Sequence, residues 1–422
     1  MRILWITNCT PSICENMVQT QTGVFGGWLD TVSTQLSADA TNTLAILSPS
    51  SHKHNTSLKQ VSNNTFYGEF ASSYRQKHPL EENILFFSNV ISSFSPDIIH
   101  IWGTEFIHSY EVLLACDKLH ALTKTVVSIQ GLISYLAKAY FHGIDQDRVP
   151  TTIRDYIKRN SIHQQQKNFL MRGETEKAAL HLAKHVIGRT DWDYACTTQI
   201  NPQLTYHFCN ETLREPFYIH KWDMNTCEPY SIFVSQCSYP IKGFHTVLDA
   251  FSIVLRNYPQ AKLYTTGANV SPKCAYEWLK QTSYSQYLYN KIQKHNISDK
   301  VFFLGTLNAE EMCQQYCRSN VFVSASSIEN SPNSVGEAML LGVPVISSYV
   351  GGVSSLITNK VEGFLYPADE PYMLAYYIEK IFKDRELAFT FSNNARKRAQ
   401  KTHDKEQNYK DLLSIYADIC ST

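Results

Sequence analysis

The chain has 422 residues, too many for one ordinary hydrophobic core, so two domains of roughly 200 residues each are expected. Lys plus Arg equals Asp plus Glu, 38 against 38, which excludes a chain-wide field drawing it to nucleic acid or an anionic membrane. Apolar residues make up 43%, normal for a globular chain, and no run reaches the ~18 residues of a membrane-spanning helix.

In chain order, the opening MRILWITNCTPS has one basic residue and a short apolar run, and reads as a strand rather than a signal peptide. RILWI, TLAIL, DIIHIW, TVVSIQ and HVIGRT are expected as buried strands of a first sheet. The segment from Thr151 to His185 carries seven Lys/Arg against three acids and reads either as a solvated helix or as a contact with a membrane or lipid-linked acceptor. The polar, Pro-containing stretch 208–230, FCNETLREPFYIHKWDMNTCEPY, reads as a joint. Beyond it YSIFVS, AKLYTTG, KVFFLG, VFVSAS, VPVISS and GFLYP read as a second set of strands. Amphipathic helices lie between them: in KGFHTVLDAFSIVLRNYP, Phe244, Val247, Leu248, Phe251, Val254 and Leu255 recur at helical spacing.

Strand–helix alternation implies α/β architecture, with parallel sheets covered on both faces. The expected organisation is two Rossmann-like, doubly wound domains, 1–208 and 209–404, facing across a cleft at the carboxyl ends of their strands, where ligands of such sheets bind. A last helix in 405–422, with a stripe of Tyr409, Leu412, Leu413, Tyr416 and Ile419, is free to pack on the first domain. The eleven cysteines are scattered without a Cys-x-x-Cys pair, which points to a reducing cytosol. Cys313 and Cys317 share a helical face and read as buried thiols.

The stretch 324–348, SASSIENSPNSVGEAMLLGVPVISS, concentrates the chemistry. It reads as a strand end, a polar turn, a helix beginning at Pro332 with Ser331 as its N-cap, a Gly342 stop and another strand. The start of that helix is an anion site by geometry, with phosphate its usual occupant. Glu329 precedes the turn and Glu337 lies inside the helix. The two carboxylates suit the hydroxyls of a sugar and a ribose better than they suit the acid/base pair of a glycosidase. A plainer reading makes Ser334-x-x-Glu337 a capping box.

Glu-x7-Glu followed by AMLLGVPVISSYVGG resembles the donor-binding signature of retaining GT-B glycosyltransferases of the group 1, or family 4, type. TGVFGGWLDTVSTQL, SYPIKGFHTVLDAF and KVFFLGTLNAEEMCQQYCRSNVFVSASSIE follow that family's order over nearly the whole chain. SQCSYPIKG and GRTDWD resemble a bacterial subgroup associated with surface polysaccharides.

The resemblance implies two catalytic residues: Lys242, pairing with the diphosphate, and Glu329, holding the transferred sugar. It implies Glu337 on the ribose hydroxyls and the amides of Asn333, Ser334 and Val335 as a phosphate cradle. It also implies Gly26 and Gly27 as a loop of close backbone approach, and Thr306 with its neighbours Gly305 and Leu307 at the base pocket. The implied partners are a nucleotide-diphosphate sugar and a glycan or lipid-linked glycan, with no cofactor, no metal and no nucleic acid. The expected place is the cytoplasm, with peripheral contact at the inner membrane face.

Two positions depart from the family pattern. Cys237 stands where the family carries an arginine, and Gln130 where it carries a histidine. Arg189 in VIGRTDWD is a candidate substitute cation, or else a capping or domain-bridging arginine, and Gln130 still offers a hydrogen bond to a sugar hydroxyl. The Asp-x-Asp pairs Asp191/Asp193 and Asp145/Asp147 mimic a metal motif of another glycosyltransferase fold without the rest of that fold. Rival readings are a catalytically silent nucleotide- or glycan-binding scaffold and, on the same fold, a UDP-sugar epimerase or a phosphorylase. A dinucleotide oxidoreductase is disfavoured because no Gly-x-Gly-x-x-Gly follows any strand.

Overall fold

A computed structural model describes residues 1–17, 27–50, 55–72, 76 and 78–421. The chain divides into two compact units, Met1–Tyr135 with Phe169–Arg214 and His403–Thr422, and Leu136–Asn168 with Glu215–Thr402.

The first unit is built on β1 (Arg2–Ile6), β2 (Thr43–Ser50), β3 (Lys59–Gln60), β4 (Thr65–Ala71), β5 (Ile98–Trp102), β6 (Thr125–Ser128), β7 (His185–Gly188) and β8 (Thr205–Phe208). Their order is β3-β4-β2-β1-β5-β6-β7-β8, all parallel except β3 against β4. Successive residues point to opposite faces, as the period of a strand requires. Leu4, Ile6, Ala45, Leu47, Ile99 and Ile101 enter one core. Ile3, Trp5, Leu44, Ile46, Ile98 and Trp102 enter the other. Both faces are therefore buried, which explains the near-continuous apolar runs in the sequence.

The second unit contains β9 (Glu228–Val234), β10 (Lys262–Thr265), β11 (Val301–Phe303), β12 (Ser319–Ser324), β13 (Val345–Ser348) and β14 (Gly363–Tyr366), in the order β11-β10-β9-β12-β13-β14, parallel throughout. The helix Phe244–Asn257 buries Phe244, Val247, Leu248, Phe251 and Val254 from the predicted stripe. Each such side chain contributes about 1.5–3 kcal/mol by leaving water.

The packing does not follow a single cut at residue 208. Residues 136–168 fall with the second unit because their turns dock there at the level of the backbone. Ser327 Oγ donates to the Ala139 carbonyl (3.1 Å), His245 Nε2 donates to the His142 carbonyl (3.1 Å), and Asp155 accepts from the amide and hydroxyl of Ser283 (2.6 Å each). Gly143, at φ +72°, lies where a Cβ would overlap the Asp369 carboxylate.

The C-terminal helix Lys405–Ser421 packs Leu412, Ile415, Tyr416 and Ile419 into the core of Ile3 and Trp5. A buried chain of hydrogen bonds fixes its register. Trp5 Nε1 donates to the Tyr416 hydroxyl (3.0 Å), so Tyr416 donates its own proton to His100 Nδ1 (2.5 Å), and His100 Nε2 then donates to Ser128 Oγ (2.7 Å). This order requires a neutral imidazole, and burial indeed pushes the His100 pKa down to about 3. Tyr416→Phe leaves two buried groups unpartnered, and is expected to cost about 2–4 kcal/mol in urea unfolding. A change below about 0.5 kcal/mol would show that the network does not hold the helix.

Candidate functional site

In a doubly wound sheet the crevice opens where the strand order reverses. In the second unit the chain runs from β9 outward to β10 and β11, then returns to place β12 on the other side of β9. The exits of β9 and β12 therefore diverge from adjacent strands, and the sequence-predicted residues lie on these two exits. The β9 exit leads to a single 3-10 turn, Pro240–Lys242, and the β12 exit leads to Ser326 and Glu329.

Close backbone packing brings the exits together. Gly243, at φ +69°, ends the Lys242 turn, and a Cβ there would overlap the Ala325 carbonyl oxygen. The Ser327 amide donates to the Ile241 carbonyl at 2.8 Å, and the Ser327 hydroxyl shares its one proton between that carbonyl (3.2 Å) and the Ala139 carbonyl. Gly351, at φ +49°, lies equally close under the carbonyl of Glu329, which accepts from the Gly352 amide at 3.0 Å. These glycines are positions where backbone conformation and space both exclude a side chain.

The result is a short contact between Lys242 Nζ and Glu329 Oε1 at 2.5 Å, with Ser326 Oγ donating to the same carboxylate oxygen at 2.7 Å. Both side chains of the pair are partly exposed.

The helix that follows spans Asn333–Leu341, one residue later than predicted. Pro332 is the N-cap, not the first helical residue, because its carbonyl already accepts from the amides of Val335 (3.0 Å) and Gly336 (3.2 Å). Ser331 is consequently not the cap, and the Val335 amide is committed inside the helix. The amides of Asn333 and Ser334 precede the first intrahelical bond. Glu337 is buried one turn further in, while Tyr316 donates to the Ser334 carbonyl at 3.0 Å. Thr306 is exposed in the loop after β11, next to Gly305 at φ +71°.

Cys237 is fully buried below the Lys242 turn. Its thiol packs where a Cβ on Gly267 would meet it, and burial raises its pKa to about 11, so a neutral group occupies the position of the expected arginine.

The remaining predicted residues belong to the first unit. Gly26 lies outside the described residues. Gly27 opens the helix Gly27–Ala38, its Cα packed on the stem of Arg214. Gln130 and Arg189 meet at Glu211, a residue the sequence reading left inside the joint. Gln130 Nε2 donates to Glu211 Oε1 at 2.5 Å, Arg189 forms a buried ion pair with the other oxygen, and His403 Nδ1 donates to the Glu211 carbonyl at 2.8 Å. The charge of Arg189 is thus compensated inside its own unit. Beside it lies a small cavity, also lined by Trp28, Trp102 and Thr212. Trp28 Nε1, Trp102 Nε1, Arg189 Nε and Thr212 Oγ1 have no hydrogen-bond partner among the described residues.

Two of the four Asp-x-Asp carboxylates have structural partners. Asp193 closes a capping box with Thr190 and also accepts from the Arg189 amide at 3.0 Å, while Asp145 pairs with Arg148 at 2.8 Å. Among the described residues no cluster of three His, Cys, Asp or Glu could hold a metal ion.

A further carboxylate was not singled out from the sequence. The first sheet reverses its order between β1 and β5, and Asn8 and Glu105 follow those strands. Asn8 Nδ2 donates to Glu105 Oε2 at 3.0 Å, and Asn8 Oδ1 accepts from His108 Nε2 at 2.8 Å. Arg172 Nε donates to the Glu105 carbonyl at 2.8 Å, with its guanidinium over Phe106. Burial, reinforced by the nearby Glu176 carboxylate, pushes the Glu105 pKa up to about 7. The only sequence signal was a lone acid three residues beyond a buried strand.

Residues 215–398 match the family described as Glycosyl transferases group 1. The capsular polysaccharide biosynthesis glycosyltransferase CapM of Staphylococcus aureus is 27% identical over 179 residues, 42% of each chain. The matches span less than half the length of curated relatives of this kind. Among solved structures, the sucrose-phosphate synthase of Thermosynechococcus elongatus superposes with a TM-score of 0.71 over 100% of both chains at 17% identity. HepE of Anabaena, solved with UDP and glucose, superposes with a TM-score of 0.66 over 99% of both chains at 15% identity. At such identities the likeness is one of fold.

Above its ordinary range, the unfolded Glu105 carboxyl has lost a proton that the folded one keeps until about pH 7. The folded chain therefore loses stability as pH rises through that window. Glu105→Gln is expected to melt like the parent at pH 5 and above it at pH 8, and equal melting temperatures at pH 8 would refute the shifted carboxyl. Taken together, the two parallel sheets and the likeness to the sucrose-phosphate synthase and HepE structures show that the chain has the GT-B fold, and within it residues 215–398 match the glycosyl transferases group 1 family.

Proposed function

We propose that the chain transfers a sugar from a nucleotide-diphosphate sugar to a glycan or lipid-linked glycan acceptor, with retention of configuration, in polysaccharide or glycolipid synthesis. The observation that carries this reading is the Lys242–Glu329 contact at the sheet's switch point, Glu329 standing four residues before the start of the helix holding Glu337. The CapM name, which refers to capsular polysaccharide, and the UDP and glucose in the HepE structure support the substrate class.

The reaction breaks the bond between the anomeric carbon and the diphosphate oxygen and forms one to an acceptor hydroxyl on the same face. The departing diphosphate carries the electron pair away and takes up the hydroxyl proton. Charge therefore develops on the phosphates, and stabilising that charge in place is the main contribution required of the protein. Lys242 supplies the cation, and the amides of Asn333 and Ser334 supply oriented donors. A donor that draws Lys242 to its phosphates releases Glu329 to accept from a hydroxyl of the transferred sugar. Glu337 accepts from the ribose, and the Gly305–Leu307 backbone, including Thr306, meets the base. The cytoplasm is the compartment that fits the eleven free cysteines.

Cys237 favours a second reading, a scaffold that binds nucleotide without turnover, since a buried neutral thiol contributes nothing to the leaving group. Thermal unfolding with UDP, GDP, ADP and their sugar conjugates, without metal, separates the possibilities. A ligand at 100 times its dissociation constant adds about 2.7 kcal/mol, a shift of several degrees. One nucleotide family is expected to produce it, and Glu337→Ala to abolish it. Lys242→Met is expected to change stability by less than about 1 kcal/mol, the pair being partly exposed, yet to slow release of nucleoside diphosphate by roughly a hundredfold or more. No shift with any nucleotide would sink the proposal. A shift without diphosphate release to any acceptor would establish the scaffold instead.

A further inference from the structure

The first sheet, like the second, reverses its strand order, and β5 ends at that reversal in a turn of Gly103, Thr104 and Glu105. The turn is held at nearly every polar group. The Gly103 amide donates to the Ser128 carbonyl (2.9 Å), and the Gly103 carbonyl accepts from the Ser109 hydroxyl (2.8 Å). The Thr104 hydroxyl donates to Glu176 Oε2 (3.0 Å), and the Glu105 carbonyl accepts from Arg172 Nε (2.8 Å). At φ +99° Gly103 also leaves a space that only glycine supplies, since a Cβ there would overlap both Glu105 Oε2 and Asn8 Nδ2. The glycine thus lets the Glu105 side chain fold back over the strand end to meet Asn8, two residues beyond β1.

This anchoring fixes the carboxyl without saturating it. An ionised carboxylate has about four acceptor positions. Asn8 Nδ2 occupies one and the amide of Glu105 itself another, and among the described residues no other group donates to it. Its acidic neighbours differ. Glu176 accepts from the Ile133 and Ser134 amides and from the Ser134 and Thr104 hydroxyls, and Glu111 accepts from Gln76, Asn83 and the Leu80 amide. Those two are fully buried and committed to the frame, whereas Glu105 is half-buried with capacity left.

In the transfer reaction proposed above, Lys242, Glu329, Glu337 and Thr306 are all engaged with the donor, so the acceptor hydroxyl needs another partner. A neutral glycan offers a carboxylate only hydroxyl and acetamido N–H donors. A rigidly placed, unsaturated carboxylate at a sheet's switch point matches that chemistry. We propose that Glu105, positioned by Asn8 across Gly103, accepts a hydrogen bond from a hydroxyl of the acceptor glycan and so helps select which hydroxyl is presented. The inference rests on the transfer reading. Glu105 orients the hydroxyl and takes no proton, which still leaves with the diphosphate.

An ionised carboxylate accepts more strongly than a protonated one, and burial places this titration at about 7. Hydroxyl binding therefore tightens as pH rises through that value. Arg172 and Glu176 face the group from their helix, and burial raises Glu176 as well. His108 stays neutral and Cys9 protonated in this range, burial holding them at about 3 and about 12.

Titration of the full chain with the methyl glycosides of glucose, galactose, mannose and N-acetylglucosamine, followed by saturation-transfer NMR, tests the assignment. The parent is expected to bind at least one of them, several-fold more tightly at pH 8 than at pH 6. Glu105→Gln keeps the shape of the side chain and is expected to weaken that binding roughly tenfold or more, to remove its pH dependence, and to leave the nucleotide-induced thermal shift intact. Removal of the pH dependence separates Glu105 from Glu176, which the variant retains. Unchanged glycoside affinity in Glu105→Gln, or no glycoside bound by a parent that responds to a nucleotide, would overturn the proposal and leave the transfer reading standing. Loss of the nucleotide shift in Glu105→Gln would also overturn it, by making Glu105 part of the frame. A parent that responds to no nucleotide would remove the transfer reading, and this assignment with it.

Discussion

The second unit depends on a contact in which no side chain takes part. Where β9 and β12 end side by side, Gly243 lies against the carbonyl of Ala325, and Gly351 against that of Glu329. These approaches draw two diverging exits together and leave Lys242 and Glu329 in contact. A methyl group at either glycine would require the backbone to move, and the amino and carboxylate groups would move with it. Pre-organisation of this kind resides in the main chain, so side-chain identity alone conveys little of it.

Charge is distributed unevenly between the two sheet edges. In the second unit Lys242 faces Glu329 with its side chain partly exposed, a loose arrangement that an incoming anion can rearrange. In the first, Arg189 is locked against Glu211, whose other oxygen holds Gln130 and whose carbonyl holds His403. Breaking such a buried pair leaves a charge uncompensated at a cost of about 3–5 kcal/mol. Arg189 is therefore better regarded as part of the frame of its unit than as a mobile stand-in for the cation missing at Cys237.

Much of this was legible in the sequence where a local pattern and its tertiary outcome coincide. All six strands of the second sheet stand where their apolar runs were read, because a strand buried on both faces needs only continuity of apolar residues. β4 escaped because TFYGEFA follows a polar stretch and is interrupted by Gly68 and Glu69. β8 escaped because TYHF is an edge strand with no fully buried residue. The helix start at Asn333 was read one residue early, since a proline suits the N-cap as well as the first turn. Glu211 and Glu105 were invisible for a different reason. Glu211 takes its meaning from Gln130, 81 residues away, and Glu105 from Asn8, 97 residues away, and no window along the chain contains both members of either pair.

The bond between Trp5 and Tyr416 joins residues 411 apart. A ribosome adds residues at about 5–20 per second, so on the order of half a minute separates the two partners. Throughout that interval Ile3, Trp5 and Leu44 lack the helix that covers them in the finished fold. The first unit is thus the first to be begun and the last to be closed, with the second unit made entirely within the gap. An apolar sheet face waiting this long is a natural target for holding chaperones. It also makes the last turns of the chain, far from any chemistry, a place where truncation would expose the oldest part of the core.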